Sequence, residues 1–476
     1  DNYFLGGRTL GPWVAAMSAE ASDMSGWLLM GLPGSVYALG TGQMWIAVGL
    51  FLGTVANWLI ISGRLRRYTI VANNSLTLPA YFENRFHDKK RILLGVSSAV
   101  IVIFFLVYTA SAFASGGKLF STVFGCSYHV SLTIGAVIIL AYTFMGGFMA
   151  VCTTDFVQGM LMLIALVTVP IVAFALMGGN VGAALEQTGV TATNFLNVMK
   201  NGDNNFSAVE IISQLAWGLG YFGMPHILLR FMAIDNENKL KLSRRVASVW
   251  VVISMGVAVL IGVIGYSLMK NSIVPTYADA SGAETIIVDI ARVLSDTGYF
   301  PAFIAGIILA GILASTMSTA DSQLLAAASS ISQNLVQETF RIKLSEKASV
   351  WLARISVVAI SIIAIFLASN PNSSVFNIVS FAWAGFGAAF GPVILFALFW
   401  RRTNKWGVIC GMISGGAVVF IWKFLIRTTF VGTWLDIYEL LPAFIVACIM
   451  IVIVSLLTEK PSQEITDIYD ELKNTK

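Results

Sequence analysis

Charged side chains are scarce in this sequence. Asp, Glu, Lys and Arg make up 11% of its 476 residues, whereas 57% of the residues are hydrophobic. Soluble domains are about 25% charged, so a soluble chain of this length would need a far more polar surface. The apolar residues extend along nearly the whole chain, which predicts a surface that faces lipid. No basic run is interleaved with aromatic residues, and nucleic-acid binding therefore has no support.

Cysteine and histidine are also rare. The four cysteines are far apart and form no CxxC motif, so neither a disulfide framework nor a zinc site is indicated. The three histidines show no metal-ligand spacing and no nucleophile–base pair, which argues against an enzyme. We expect His226, beside Pro225, to be a hydrogen-bonded structural residue. The polar tail from Thr458 is too short for a signalling domain, which argues against a receptor.

Twelve stretches are long and apolar enough to cross a membrane as helices, which takes about 20 residues each. No alternating pattern of a barrel is visible, and in lipid a helix satisfies its own backbone hydrogen bonds. The sequence therefore predicts an all-α polytopic membrane protein with about twelve transmembrane helices. The predicted spans are residues 9–36, 41–63, 91–117, 128–150, 154–178, 207–231, 246–270, 300–333, 350–369, 374–400, 406–427 and 435–457.

Lysine and arginine are concentrated in alternate loops. Loops 37–40 and 370–373 carry neither residue, and loop 179–206 has only Lys200. Because positively charged loops stay on the cytoplasmic side, we expect the basic loops and both ends of the chain to be cytoplasmic. The residues that carry this signal are Arg64, Arg66, Arg67, Arg85, Lys89, Lys90, Arg91, Lys239, Lys241, Arg244, Arg245, Arg341, Lys343, Lys347, Arg401, Arg402 and Lys405.

This orientation makes two groups of five spans, one to five and six to ten, inverted relative to each other. Span one is interrupted by a polar run at 21–26, and span six carries three glycines and a proline at 218–225. Broken helices at matching positions of two inverted halves indicate a binding site near the middle of the membrane. The alternative is that the glycines only allow close helix packing, as we expect for Gly387 and Gly391.

Ionisable residues inside predicted spans are costly and therefore indicate function. Near the last of them, the hydroxyls of residues 315, 318, 319 and 322 fall on one helical face. Hard cations bind several oxygen atoms at once, and an unwound helix supplies free carbonyls. A hydroxyl face opposite the break in span one therefore predicts a sodium site. The alternative is that these hydroxyls bond to carbonyls four residues earlier in their own helix. The ionisable residues in question are Glu20, Asp23, Asp155 at the start of span five, and Asp321.

Aromatic residues lie beside the second break. Trp217 and Tyr221 are one helical turn apart, and Tyr108 lies in the middle of span three. Aromatic walls next to exposed backbone suit a small substrate with an apolar body and charged ends. The alternatives are ordinary helix packing or an interfacial aromatic belt, for which Tyr108 and Trp217 are too deep.

Six long stretches carry a family resemblance: NYFLGGRTLGP (2–12), ASDMSGWLLMGLPG (21–34), SLTLPAYFENRF (75–86), WGLGYFGMPHILLRFMA (217–233), MSTADSQLL (317–325) and FAWAGFGAAFGPVILF (381–396). They resemble the sodium/solute symporter family, and its proline branch more than its sugar and vitamin branches. The resemblance covers nearly the whole chain. It implies a five-plus-five inverted-repeat fold and sodium-coupled import of L-proline by alternating access.

The resemblance also implies roles for single residues. The implied sodium ligands are the carbonyls of Ala21, Met24 and Ser315 and the hydroxyls of Ser318 and Thr319. The implied substrate-binding residues are Tyr108, Trp217, Tyr221 and Pro225, to which we add Ser25 and Gly26 of the first break. Positions tied to coupling or gating are Arg8, Asp23 and Asp155, to which we add the nearby carboxylates Glu20 and Asp321.

Three positions depart from the family. Glu20 replaces a small residue, Asp321 replaces a neutral one, and Met224 replaces a glutamine. The two carboxylates could shift coupling toward protons, add a second cation, or lie solvated in the inner vestibule. If they approach the cation site, sodium affinity should weaken as internal pH falls. A sodium- or proton-coupled carrier of another small amino or imino acid therefore stays as the alternative function.

The predicted organisation follows from the two repeats. The family usually carries one further helix ahead of the first core helix, which we expect to lie upstream of Asp1. We expect the protein in the bacterial plasma membrane, with a proline-like substrate, sodium and lipid as its partners and no obligatory protein partner. The predicted divisions are a first repeat at 1–178, a second repeat at 179–400, two additional helices at 401–457 and a cytoplasmic tail at 458–476.

Overall fold

The protein folds into a bundle of helices with very little other structure. The computed structural model describes residues 5–145, 148–180, 183, 186, 189 and 193–474. The helices are α1 (Pro12–Asp23), α2 (Trp27–Leu39), α3 (Thr41–Val71), α4 (Leu78–Arg85), α5 (Ile92–Phe124), α6 (Tyr128–Met145), α7 (Phe148–Leu176), α8 (Ala208–Leu215), α9 (Pro225–Ala233), α10 (Glu237–Lys270), α11 (Ile286–Ser295), α12 (Tyr299–Thr339), α13 (Glu346–Leu367), α14 (Val375–Phe399), α15 (Lys405–Thr429), α16 (Leu440–Leu457) and α17 (Gln463–Asn474). Short helical turns lie at Gly6–Arg8, Asn194–Leu196, Ala216–Gly223 and Ala280–Ala283, and Lys200–Asn201 pairs antiparallel with Asn204–Asn205.

Each of the twelve predicted spans corresponds to one or two of these helices. Within the described ranges, nine helices are long and apolar enough to cross a membrane. The other three spans are α6 and the two broken ones, α1/α2 and α8/α9. The boundary between spans four and five differs from the prediction, because α7 begins at Phe148 rather than at residue 154. Asp155 therefore lies about two turns inside α7 rather than at its start.

Two groups of five spans share the same order of elements. Each group opens with a broken span and carries a short helix after its second span, α4 in the first group and α11 in the second. The remaining helices α15 and α16 pack on each other and on α14. Among the crossing helices described, α14 has the most buried apolar stretch, so it lies at the centre of the bundle.

The second break passes between α3 and α14, where glycines make room for it. Gly53 of α3 approaches Gly218 so closely that a Cβ added to Gly53 would overlap the backbone of Gly218. On the opposite side, the indole of Trp383 in α14 occupies the space where a Cβ of Gly220 would lie. Close packing and a broken helix therefore occur together here, although the sequence presented them as alternatives.

Candidate functional site

The first broken span has a gap between α1 and α2 that frees backbone carbonyls. In a continuous α-helix, the carbonyls of Ala21 and Met24 would accept hydrogen bonds from the amides four residues later. Those amides, of Ser25 and Leu28, instead donate to the carbonyls of Asp23 and Ser25, both at 2.9 Å. The break thus removes the helical partners of two carbonyls that we predicted as sodium ligands.

Helix α12 brings the hydroxyl of Ser318 to this gap, and Thr319 follows Ser318 in the same helix. Ser318 Oγ donates to the carbonyl of Ala21 at 2.9 Å and to the carbonyl of Ser315 at 3.3 Å. Thr319 Oγ1 donates to the same Ser315 carbonyl at 3.0 Å, so its hydroxyl bonds within its own helix as the alternative stated. Both hydroxyl-bearing residues are fully buried. Because carbonyl and hydroxyl oxygens are ligands of hard cations, four of the five predicted sodium ligands lie in one hydrogen-bonded group.

Met24, the fifth predicted ligand, anchors the gap through its side chain. Its Sδ atom accepts hydrogen bonds from Trp250 Nε1 at 2.9 Å and from Ser254 Oγ at 3.2 Å, both on α10. These contacts fix the gap against the second group of spans. The role of the Met24 carbonyl as a ligand stays a prediction.

A small cavity lies between the two breaks. Its lining contains Tyr108 and Trp217, which were predicted to bind substrate, and Asp23, which was predicted for coupling. Trp27 and Trp383 also line the cavity and were not predicted. Each is a tryptophan inside an apolar span, whereas the signal for Trp217 was its one-turn spacing with Tyr221 beside the second break. The remaining lining residues are Leu50 and Val379.

Two tyrosines hold Asp23 at the edge of this cavity. The Tyr221 hydroxyl donates to Asp23 Oδ2 at 2.7 Å, and the Tyr108 hydroxyl donates to the carbonyl of Asp23 at 3.2 Å. Asp23 therefore connects the end of α1 to the second break and to α5. Its other oxygen, Oδ1, has no hydrogen-bonding partner among the described residues. Tyr221 is outside the cavity lining and reaches the cavity through Asp23.

Three other predicted substrate residues are absent from the cavity lining. Ser25 Oγ accepts a hydrogen bond from the first amide of α2 at 3.2 Å. Gly26 lies against Ser115 of α5 with no room for a Cβ. Pro225 lines a separate crevice beside α9. Direct contact of these three residues with substrate stays a prediction. The structure shows only the contacts given above, which they make with other parts of the protein.

A buried ion pair joins α1, α7 and α9. Arg230 Nη2 donates to Asp155 Oδ2 at 3.0 Å and to Ser322 Oγ at 2.7 Å. Arg230 Nε donates to Ser18 Oγ at 3.0 Å, and that hydroxyl donates to Asp155 Oδ2 at 2.8 Å. The side chains of Arg230 and Asp155 are 2% and 0% exposed. Sequence reasoning weighed only the carboxylates inside spans and so missed Arg230, which is an ionisable residue within predicted span six.

The two unusual carboxylates are both buried, which contradicts the alternative that they lie solvated in a vestibule. Glu20 is 2% exposed and accepts a hydrogen bond from Trp58 Nε1 at 3.3 Å. Asp321 is 0% exposed, so its carboxylate is fully enclosed by the protein. The charges that act on Asp321 are those of Asp155 and Arg230. Asp321 is thus part of the charged cluster around Arg230.

His226 does not have the hydrogen-bonded role that we expected. It is fully buried, and its ring nitrogens lack hydrogen-bonding partners within the described ranges. Its ring packs against Phe105 and Tyr108, with centroids 5.7 Å and 6.5 Å away. The imidazole therefore serves as an aromatic packing element behind Tyr108.

Arg8 ties the segment before α1 to the far ends of α3 and α9. Its Nη1 donates to the carbonyl of Met232 at 2.6 Å, and its Nη2 donates to the carbonyl of Ser75 at 2.9 Å. Its Nε donates to Asn74 Oδ1 at 3.0 Å. Such a cross-link must rearrange if these helices separate, and the predicted gating role of Arg8 stays a prediction.

Comparison with protein families identifies the family to which this arrangement of helices belongs. Residues 3–415 match the model of the sodium:solute symporter family. The chain belongs to the sodium:solute symporter family. The matched range contains both breaks, the cavity, the hydroxyl face of α12 and the charged cluster around Arg230. The family predicted from the sequence is thereby confirmed.

Named relatives are similar over almost their whole length. The sodium/proline symporter of Escherichia coli (strain K12) is 44% identical over 462 residues, which are 97% of this chain and 89% of that protein. The high-affinity proline transporter PutP of Bacillus subtilis (strain 168) is 44% identical over 474 residues, 100% of this chain and 96% of that protein. The osmoregulated proline transporter OpuE of the same organism is 42% identical over 463 residues, 97% and 90% of the two chains.

Solved structures share the fold at low identity. A Na⁺-coupled sialic acid symporter in a substrate-bound outward-open state has a TM-score of 0.78 and 18% identity, covering 97% of this chain and 93% of that one. MhsT in complex with L-phenylalanine has a TM-score of 0.56 and 14% identity, covering 94% and 97%. These likenesses confirm the five-plus-five inverted-repeat fold. The chain is a multi-pass membrane transporter of this family and not an enzyme.

Proposed function

We propose that this chain imports L-proline into a bacterial cell, coupled to sodium, by alternating access across the plasma membrane. One observation carries the proposal: a single gap in the first span adjoins both the predicted sodium ligands and the cavity. On one side of the gap Ser318 reaches the freed carbonyl of Ala21. On the other side Asp23 lines the cavity with Tyr108 and Trp217. The names of the relatives, at 42–44% identity, support proline as the substrate.

The sodium ion is cargo in this proposal, and its site is built from this chain's oxygens. The hydroxyl of Ser318 donates to the Ala21 carbonyl, and a cation at this position would be bound by both oxygens together with the other predicted ligands. Helices α1 and α12 would then be held together at the end of α1 that carries Asp23. Sodium binding therefore stabilises the arrangement that binds substrate, and by linkage substrate binding strengthens sodium binding equally.

The cavity suits a small amino or imino acid. The rings of Trp217 and Tyr108 form apolar walls, and Trp217 stacks on Tyr438 with centroids 4.9 Å apart. Asp23 adds one carboxylate oxygen that no described residue binds. An apolar ring with charged groups at one edge matches these walls, because ligand sites combine apolar linings with a few placed polar groups.

Uptake into proteoliposomes tests the proposal. We expect radiolabelled L-proline to accumulate when sodium is high outside, and to stay at the passive level with an inward proton gradient in potassium buffer. Dissipating the sodium gradient with an ionophore should abolish accumulation in the same vesicles. Accumulation driven by protons alone, or no accumulation of proline under any gradient, would contradict the proposal.

A second candidate is a proton- or sodium-coupled carrier of another small amino acid. Two observations favour keeping it. Met224 is fully buried at the start of α9, where the family's proline branch has a glutamine. Glu20 and Asp321 are buried carboxylates near the first break and near Arg230. Competition of unlabelled small amino acids with labelled proline in the same proteoliposomes separates the two candidates.

We also propose that the chain lies with both ends in the cytoplasm. The excess of Lys and Arg in alternate loops supports this orientation. It places the loop after α5 outside the cell, and Cys126 in that loop is exposed. A membrane-impermeant maleimide should therefore label intact cells, and Cys126→Ser should remove the label. Labelling that requires opened membranes would contradict the orientation.

A further inference from the structure

Two buried polar groups at the cavity between the breaks have no hydrogen-bonding partner among the residues that the structure describes. The Nε1 atom of Trp27 and the Oδ1 atom of Asp23 lack hydrogen bonds to any described residue. Trp27 is 4% exposed and Asp23 is 6% exposed, and both line the cavity. Burying an unpaired donor or an unpaired carboxylate oxygen costs free energy, and native proteins satisfy nearly all such groups. A ligand in the cavity would satisfy both.

These two groups are complementary to opposite charges. Trp27 begins α2, and an indole N–H can only donate a hydrogen bond. The positive end of the α2 dipole adds to the attraction for an anionic group there. Asp23 ends α1, the negative end of a helix dipole, and one of its oxygens is already bound by Tyr221. The gap therefore offers an anion-binding side and a cation-binding side.

We infer that Trp27 is a specificity-determining residue that donates its indole N–H to the carboxylate of a zwitterionic substrate, while Asp23 Oδ1 binds the substrate's ammonium nitrogen. This inference rests on the proposed function and adds the direction in which the substrate lies, with its carboxylate toward α2 and its nitrogen toward α1. The substrate's apolar ring then lies near Trp217, whose ring centroid is 5.7 Å from that of Trp27.

The other tryptophan of the cavity supplies a matched comparison. Trp383 also lines the cavity, but its Nε1 donates to the carbonyl of Trp217 at 2.8 Å. Its N–H is therefore used within the protein, where it holds the second break against α14. Substituting Trp383 removes an internal hydrogen bond, whereas substituting Trp27 removes a donor that no described residue uses.

The test measures equilibrium binding of two ligands to the purified full chain in saturating sodium. L-proline carries the carboxylate, and pyrrolidine keeps the ring and the ammonium nitrogen but lacks the carboxylate. In Trp27→Phe we expect L-proline to bind about ten- to a hundredfold more weakly, as for the loss of a hydrogen bond to a charged group, with pyrrolidine binding unchanged. In Trp383→Phe we expect both ligands to weaken by the same factor.

Equal weakening of both ligands in Trp27→Phe would overturn the inference, because a loss of ring packing acts on both. If Trp27→Phe does not fold, as judged by size-exclusion chromatography, replacement of Trp27 alone by 3-benzothienylalanine takes its place. That ring system keeps the shape of indole and has no N–H, so the same change in the ligand ratio is expected. No proline binding by the unmodified chain would overturn the proposed function and this inference with it. If the unmodified chain binds proline normally and the Trp27 variant keeps the same ratio of proline to pyrrolidine affinity, the inference alone would be overturned.

Discussion

The two broken spans interrupt their helices with different residues. The first break is a short gap beside Asp23, where amides turn away and leave carbonyls free. The second break is the eight-residue turn Ala216–Gly223, which contains three glycines and no acidic or basic residue. Gly218 and Gly220 let it pass between α3 and α14. The first break therefore supplies charge and the predicted cation ligands, and the second supplies close packing and aromatic walls.

The contacts between the breaks show how such different segments act together. On the cavity side, Tyr221 of the second break binds Asp23 of the first. On the α9 side, Arg230 binds Ser18 of α1 and Asp155 of α7. Any motion of one broken span against the other must stretch these contacts. Alternating access in this fold therefore depends on how much free energy each link contributes, which substitutions can measure.

Substitution of Arg230 should cause the largest loss of folding stability. Arg230→Met leaves the carboxylate of Asp155 buried without its cation, which costs about 3–5 kcal/mol of folding free energy. We expect a large fall in the thermal unfolding temperature of the purified chain in detergent. The double variant Arg230→Met/Asp155→Leu should regain part of the loss, because Asp155 is then no longer a buried carboxylate without its cation. A double variant no more stable than Arg230→Met would contradict this reasoning.

Disturbing the packing of the second break should cause the next largest loss of folding stability. Gly53→Ala adds a Cβ that overlaps the backbone of Gly218, and overpacking of this kind costs about 1–3 kcal/mol. Gly256→Ala on α10 is the matched control, since a Cβ there meets nothing within 4 Å. It should be neutral or stabilising by about 0.5–1 kcal/mol, because alanine favours a helix over glycine. Equal unfolding temperatures for the two variants would show that a Cβ fits at Gly53 and that the second break is not closely packed against α3.

The sequence predicted the architecture well because bilayer thickness and backbone hydrogen bonding leave few choices. Twelve apolar stretches and the position of both breaks followed from hydropathy, glycine and proline alone. The start of α7 at Phe148 did not, because the sequence between α6 and α7 is two glycines and has no polar residue that would mark a boundary. The divisions at residues 178, 400 and 457 stay predictions.

The site was less accessible to sequence reasoning, because its residues meet only in the folded chain. The sequence has 12 tryptophans, and nothing local marks Trp27 and Trp383 as neighbours of Trp217. The bond of Trp383 to the carbonyl of Trp217 joins residues 166 positions apart. Arg230 was missed for a different reason. It indicates function only because it forms a buried ion pair with Asp155, and that pairing cannot be read from the sequence. Tertiary contacts decided each of these cases.

Substitutions of the two predicted hydroxyl ligands opposite the first break test where the cation binds. Ser318→Ala and Thr319→Ala should each raise the sodium concentration for half-maximal uptake, because a lost buried partner costs about 1–3 kcal/mol. Proline affinity at saturating sodium should change less. Thr316→Ala is the control, since Thr316 Oγ1 donates to the carbonyl of Ile312, which is not a predicted sodium ligand. Unchanged sodium dependence in both Ser318→Ala and Thr319→Ala would remove the cation site from this gap.

The smallest expected effect concerns Glu20 and Asp321, the two carboxylates that are unusual for the family. Protonation of either group and sodium binding nearby both add a positive charge, so each should weaken the other by the same factor. We expect apparent sodium affinity to fall by about fivefold or less as internal pH drops from roughly 8 to 5. Glu20→Gln or Asp321→Asn should flatten this dependence. Glu83→Gln should leave it intact, because Glu83 of α4 pairs with Arg91, which directly precedes α5. Sodium-dependent proline binding at each pH decides the matter, and one common profile for all four proteins would show that neither carboxylate acts on the first break.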